Sequence, residues 1–292
     1  MSAITADKVK ELREKTGAGM MECKKALTEN GGDMDAAVKW LREKGIAGAE
    51  KKAGRATAEG LVGLKVEGSK GVIVEINCET DFVAKTDPFQ ALVAEAAEAA
   101  LKAELPADPV AAAAALGSAG IAAKVKETIA ALGENMALAR VASLRVRQGL
   151  LGSYRHSDGK LAAVVALECG KADSVARPEV VELAKNLAMQ VAGNLPPAEV
   201  VSREQISPEL IAREKEIAMT QAQQAGAGKP AHIIEKIAEG KVNKVLQEIT
   251  LLEQAFIMDG NLKIADLLKQ VGAKVGDTLS ISGFIRIKVG VK

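Results

Sequence analysis

Asp81, Asp87 and His156 are the side chains best suited to move protons, but the sequence supplies no partner group around any of them. Acid–base catalysis needs several groups converging in one pocket. A single loop histidine leaves room for a Ser-His-Asp arrangement, yet no glycine-flanked serine sits on a strand-to-helix elbow. The only histidines are His156 and His232, and the three cysteines, Cys23, Cys78 and Cys169, are widely separated. A zinc site of paired-His or Cys-x-x-Cys type is therefore absent. Odd, scattered cysteines suit a reducing cytoplasm and read as small buried side chains rather than a disulfide framework. No GxxxxGK[ST] phosphate loop is present, and the stretch from Gly117 to Gly120 is followed by apolar residues and Lys124 at the wrong spacing. What remains is the chemistry of recognition. Asp81-Phe82, an acidic residue beside one of only 4 phenylalanines, follows directly on a β-like run.

Composition narrows the kind of recognition. Of 292 residues, 48% are hydrophobic and 26% charged, the balance of a globular chain. Lysines and arginines exceed acidic residues by a formal charge of only +1, which argues against a broad nucleic-acid surface. Aromatic content of 2% argues against base-stacking platforms. No apolar run reaches the length of a membrane span, and Met1–Lys10 is amphipathic and charged rather than a signal core.

The elements that must position these residues alternate in period. Residues 1–46 read as three short helices. Thr5 caps the first, Gly17 and Gly19 break it, and the second starts near Met20. Gly31 and Gly32 stop that one, Asp33 caps the third and Gly45 closes it. So small a bundle has a thin core and reads as a recognition module tethered to something larger. Residues 47–59 read as a partly helical linker. Leu61–Glu67 and Val72–Asn77 are strand-like, joined by a turn at 68–71, so that Asp81-Phe82 should lie on a loop at a sheet edge. Asp87-Pro88 opens a long Ala-rich helix, with Asp87 as its cap. Pro106 and Pro109 interrupt it, helix resumes to residue 131, and Ala139–Val146 reads as a third strand.

A second unit of like grammar begins near residue 150. It has a strand at Lys160–Glu168, a helix at Arg177–Ala192, strands at Val242–Leu252 and Thr278–Val289, and a helix at Ile264–Val271 between those two. The expected division is 60–149 and 150–292, with a helical hairpin at about 207–240 split by the glycines at 226–228. Spacing alone does not establish that one unit repeats the other.

Two long segments, LREKTGAGMMECKKAL at Leu12–Leu27 and EINCETDFVAK at Glu75–Lys85, resemble the signature motifs of the bacterial elongation factor Ts family. The shorter stretches GEN at 133–135, LGSY at 151–154 with His156, and GKPAHIIEKIAEGK at 228–241 follow in the family's order. The resemblance spans essentially the whole chain. It implies an α+β fold: a ubiquitin-associated-like three-helix module, then two core subdomains with small antiparallel sheets and an inserted helical hairpin. It implies a non-catalytic guanine-nucleotide exchange factor, without a cofactor or metal of its own, acting in the cytoplasm on elongation factor Tu. Both the GDP-bound and the nucleotide-free GTPase are expected partners, with no direct nucleic acid and no membrane. For the hairpin, self-association and bracing of the partner are both open.

The same resemblance assigns partner contacts residue by residue. Asp81 and Phe82 match a pair that intrudes near the GTPase magnesium site. Lys24, Met20 and Met21 match a docking helix, with one of the two methionines expected in the bundle core. Leu132-Gly133 matches an apolar-Gly pair, most often Ile-Gly, and His156 matches a contact beside the Phe wedge. Ile257-Met258 matches an apolar pair directed at the third domain of elongation factor Tu. Unaided, each has a plainer reading: Phe82 in the core, Lys24 solvated, Gly133 a helix cap. One departure is that many members continue past the last strand with a GEGIEK-like turn and a terminal helix, where this chain ends at Val289-Gly290-Val291-Lys292. Weaker partner affinity is the expectation. The competing reading is a ribosome- or RNA-associated scaffold without exchange activity.

Overall fold

Helices form where apolar residues recur every three to four positions, and strands where buried residues face both sides of a sheet. In the computed structural model, which describes residues 4–225 and 230–291, three helices come first: α1 (Ala6–Thr16), α2 (Met20–Glu29) and α3 (Met34–Lys52). Thr5 caps α1 by accepting a hydrogen bond from Lys8 N, Gly17 ends it in the left-handed conformation, and Asp33 Oδ1 accepts from Ala36 N at the start of α3. Leu12, Cys23, Leu27 and Leu41 form the bundle's small core. The stop expected at Gly45 does not occur, and α3 runs on to Lys52. A glycine inside a helix costs about 1 kcal/mol relative to alanine, too little by itself to end one.

The first unit then comprises β1 (Glu59–Glu67), β2 (Lys70–Cys78), the single turn α4 (Asp81–Ala84), α5 (Asp87–Lys102), α6 (Pro109–Leu116), α7 (Ala122–Leu132) and β3 (Met136–Arg145). A π turn at Gly117–Ile121 joins α6 to α7. Thr86, not Asp87, is the cap residue of α5; Asp87 and Pro88 already lie in its first turn, where an acidic side chain and a missing N–H are both favoured. The second unit comprises β4 (Gly149–Arg155), β5 (Leu161–Cys169), α8 (Pro178–Gly193), α9 (Pro208–Ala225), α10 (Ala231–Ile249), β6 (Ala255–Phe256), β7 (Asp259–Lys263), α11 (Ile264–Val275) and β8 (Leu279–Lys288). The strand expected at Val242–Leu252 is instead the end of α10, to Ile249, followed by a 3-10 turn at Leu251–Glu253. Val242, Leu246 and Ile249 are buried at helical spacing, so packing against α9 overrides the β-branched composition. The hairpin thus reaches Ile249. The break expected at 226–229 lies outside the described residues.

Each unit has an antiparallel three-stranded sheet, ordered β1-β2-β3 and β4-β5-β8. Val72, Val74 and Ile76 point into a core with α5, α6 and α7, and Ala163, Val165 and Leu167 into a core with α8 and α11. The alternate residues Ile73 and Val164 meet between the sheets, with Val62, Ala162 and Ile287. The layers therefore run helix, sheet, sheet, helix. Both central strands carry apolar residues on both faces, at 72–74 in β2 and 161–167 in β5, because both of their faces are covered.

The two units repeat one plan in detail. GLVG at 60–63 and GLLG at 149–152 occupy matching places in β1 and β4, with Gly60 opposite Asn77 and Gly149 opposite Glu168. A Cβ on Gly63 would stand 2.8 Å from Val93 O of α5, and one on Gly152 would stand 1.9 Å from Ala184 O of α8, so each glycine lets a helix lie directly on its strand. The third strands shift register at matching points, after Leu138 opposite Ile76 and after Ile281 opposite Leu167. Cys78 and Cys169 end the two central strands. With Cys23 they are buried free thiols whose pKa values burial pushes up, that of Cys78 to about 12. Among the described residues no helix is long and apolar enough to cross a membrane.

One charge pair lies between the sheets. Glu75, on the same face of β2 as Ile73, is 1% exposed. Its Oε2 accepts from Arg140 Nε at 2.5 Å and its Oε1 from Gly290 N at 3.1 Å, while Arg140 Nη2 donates to Lys288 O at 2.7 Å. The end of β8 is thereby bound to the first sheet.

Candidate functional site

Beyond Cys78 the chain turns sharply and exposes Phe82. Thr80 is the N-cap of α4, its Oγ1 accepting from Val83 N. Val83 and Ala84 are buried against the first core, and in a single helical turn that sends Phe82 the other way, where it is 78% exposed. The tip is one turn of helix rather than the expected loop, and Phe82 is not a core residue.

Two carboxylates fix this turn. Glu134 accepts from Thr80 N at 3.0 Å and from Thr80 Oγ1 at 2.6 Å. Reciprocally, Glu79 Oε1 accepts from Asn135 N at 2.6 Å, a bond that holds the Glu79 carboxyl below its usual range. Asn135 Nδ2 donates to Arg55 O at 2.8 Å and so ties in the segment after α3. The crossed pairs Glu79–Asn135 and Glu134–Thr80 clasp the end of β2 to the start of β3. Charge-assisted bonds of this kind are stronger than neutral ones. Leu132-Gly133 leads straight into the clasp: Leu132 is half-buried, and Gly133 (φ 81°) caps α7 in the left-handed region. Replacing Glu134 by Ala is expected to raise hydrogen exchange at the Thr80 amide about tenfold, read by NMR in the folded protein. Unchanged protection at Thr80 would show that the clasp does not hold the tip.

The second unit has a counterpart of the Glu134–Thr80 half of this clasp, with a different load. Asp277, two residues beyond α11, accepts from Lys171 N at 3.0 Å, two residues beyond Cys169. Its tip is the short turn Ala172–Ser174, which carries no aromatic residue.

Asp81 accepts from Lys85 Nζ at 2.7 Å, which holds its carboxyl below the ordinary value, and Lys85 Nζ lies 6.0 Å from the Phe82 ring. Lys160 adds to the same lowering from the second unit. Lys160 is paired with Glu59, and its backbone N donates to Asp158 Oδ1 at 2.8 Å. His156 Nδ1 lies 3.0 Å from Asp158 Oδ1, with its side chain about half exposed. Lys160 thus ties Asp158, the neighbour of His156, to β1 through Glu59, with its charge felt at Asp81.

The other expected residues stand on neighbouring supports. Met20, Met21 and Lys24 are all exposed on α2, so neither methionine is in the bundle core; Cys23, Ala26 and Leu27 fill it instead. The bundle rests on α7, the helix that ends at Leu132-Gly133, through an Arg42–Glu127 ion pair at 2.8 Å and the approach of Gly17 to Ala131. Ile257 and Met258 form the turn between β6 and β7, 44% and 57% exposed, with Phe256 buried beneath. They make a separate tip on the second unit. The clasp residues Glu79, Thr80, Glu134 and Asn135 went unassigned in the sequence, although all four lie within its ETDF and GEN stretches. Lys160 carried no signal at all.

The arrangement offers a fixed, exposed aromatic ring flanked by charge, a Met-bearing helix face and an apolar turn. Such groups suit docking to another protein. The family model described as Elongation factor TS matches residues 79–291, from the first clasp residue to the end of the described chain. The protein named Elongation factor Ts from Nitratidesulfovibrio vulgaris (strain DP4) is 47% identical over 291 residues, covering 99% of this chain and 96% of its own length. Those of Desulfovibrio desulfuricans (strain ATCC 27774 / DSM 6949 / MB) and Bradyrhizobium sp. (strain ORS 278) are each 46% identical, covering 100% and 99% of this chain and 100% and 93% of their own lengths.

Proposed function

Because the chain belongs to the elongation factor Ts family, we propose that it is a non-catalytic exchange factor that binds the GTPase elongation factor Tu in the cytoplasm and accelerates release of GDP. To do so it must bind the distorted or nucleotide-free GTPase better than the GDP form, since equal binding to both shifts nothing. The observation that carries this reading is Phe82, a large apolar ring exposed on a turn that two carboxylates hold rigid. Such a ring loses little conformational entropy on docking, so its burial can go into displacing the partner's packing near its magnesium ion. Asp81 supplies a competing charge there, released from Lys85 on contact.

In this reading Leu132, Gly133 and His156 border the wedge on the GTPase domain, and Met20, Met21 and Lys24 dock beside it. Ile257 and Met258 engage a different domain of the partner. The bundle at 1–46 is a docking module, 47–59 its tether, and 60–149 and 150–292 the two arms that hold the tips in a fixed relation.

Stopped-flow release of labelled GDP from elongation factor Tu tests the proposal. Micromolar amounts of the protein should accelerate release manyfold, in a complex that tolerates added salt. Absence of acceleration, or association that collapses steeply with salt as nucleic-acid binding does, would favour the RNA-scaffold alternative.

A further inference from the structure

Gln190, near the end of α8, is fully buried on a helix face otherwise made by Leu183, Leu187 and Val191. A buried primary amide must find partners or cost stability. All those of Gln190 lie in one short segment: Nε2 donates to Gln254 Oε1 and to Ala255 O, both at 3.1 Å, and Oε1 accepts from Ile257 N at 2.8 Å. Gln254, also buried, donates to Glu248 O at 2.7 Å and to Pro196 O at 3.4 Å. The amide pair therefore joins α8, the end of α10 and the loop at Pro196 to the Ile257-Met258 turn.

The shared plan of the two units shows that the fold does not require this amide. Aligning Leu92, Val93 and Ala100 of α5 with Leu183, Ala184 and Val191 of α8 puts Ala99 opposite Gln190. What the second unit adds at this end is the β6–β7 hairpin, whose first strand is only 2 residues long. So short a ladder is marginal by itself, and its turn carries Ile257 and Met258, exposed apolar side chains without a core role.

We propose that Gln190 is a positioning residue for partner binding: its amide holds the Ile257-Met258 turn in the conformation the partner meets. This rests on the exchange-factor reading above. Because the Phe82 tip stands on the other unit, losing Gln190 weakens docking and spares the chemical consequence of docking.

The test is GDP release from elongation factor Tu measured against concentration of the full chain, with melting followed in parallel. Gln190→Met should raise the half-saturating concentration about tenfold, while the release rate at saturation stays within about twofold. Gln190→Asn, which keeps an amide too short to reach Ile257 N, should act in the same direction and serves if the Met variant does not fold. In a background carrying Ile257→Ala and Met258→Ala, either substitution should add less than about twofold, because the turn it positions has lost its side chains. Lower melting with an unchanged half-saturating concentration would overturn the inference, as would penalties that multiply in the double-Ala background. An inactive wild-type chain would sink the exchange reading itself, and an active wild type with indifferent variants would sink only the role of Gln190.

Discussion

Phe82→Ala is expected to slow GDP release from elongation factor Tu about thirtyfold at a fixed subsaturating concentration, the loss typical of an interface residue worth about 2 kcal/mol. Its melting temperature should stay within about 1–2 °C of wild type, because a ring 78% exposed contributes little to its own core. This contrast separates a wedge from a packing residue. Phe89 is the internal comparison: it is fully buried in the first core, and its replacement by Ala should lower stability by about 3–5 kcal/mol. Phe82→Leu should retain part of the activity, since an apolar tip remains. Full exchange activity in Phe82→Ala, with a sharp fall in melting, would show that the ring braces its own unit and would leave the proposed mechanism without its wedge.

An effect on stability as large as that of Phe89→Ala is expected at Glu75. Glu75→Ala removes the buried partner of an ion pair and leaves Arg140 Nε and the Gly290 amide without their acceptor, while Arg140 Nη2 keeps Lys288 O. Breaking such a pair costs about 3–5 kcal/mol, or roughly 10 °C in melting temperature for a chain of this size. Replacing both members, Glu75→Leu with Arg140→Leu, should recover much of that loss, because two apolar side chains suit the apolar surroundings of Ile73 and Ile287. Urea unfolding of the single and double variants measures both terms. A loss under about 1 kcal/mol in Glu75→Ala would mean that solvent reaches the pair and that it does little to join the sheets.

Much of the fold could be read from the sequence because its strongest signals are local. The central strands show up as apolar runs that do not alternate with polar residues, at 72–74 and 161–167, since helices cover one face and the opposite sheet the other. Helix starts at Thr5 and Asp33, and the stop at Gly17, are set by hydrogen bonds within a few residues. Val242–Leu252 misled because β-branched and apolar residues suggest a strand until their burial on a helical period is seen. The candidate site divides in the same way. Phe82 was identified through a motif that says nothing of what holds the ring out. The carboxylate of Glu134 acts on Thr80 and the amide of Gln190 on Ile257, far away in sequence, and to a local reading both look like ordinary polar side chains. The repeat was suggested by the order of the elements but not established, because its surviving identities, GLVG against GLLG and one cysteine each, are too short to stand out, whereas register and glycine contacts display it at once.

Two look-alike halves that bury equivalent faces against each other make a body close to one that could be turned around and presented backwards. A partner reading only the two sheet-and-helix cores would face two nearly equal poses, an equivalence that the bundle on α7 and the α9–α10 hairpin already break. The different loading of the two tips removes that ambiguity: an exposed ring at Phe82 in one half, and at the matching place in the other the short polar turn Ala172–Ser174. Handedness of docking is thus written in the tips and in what each unit adds to the shared core, and the core beneath them is free to stay symmetrical.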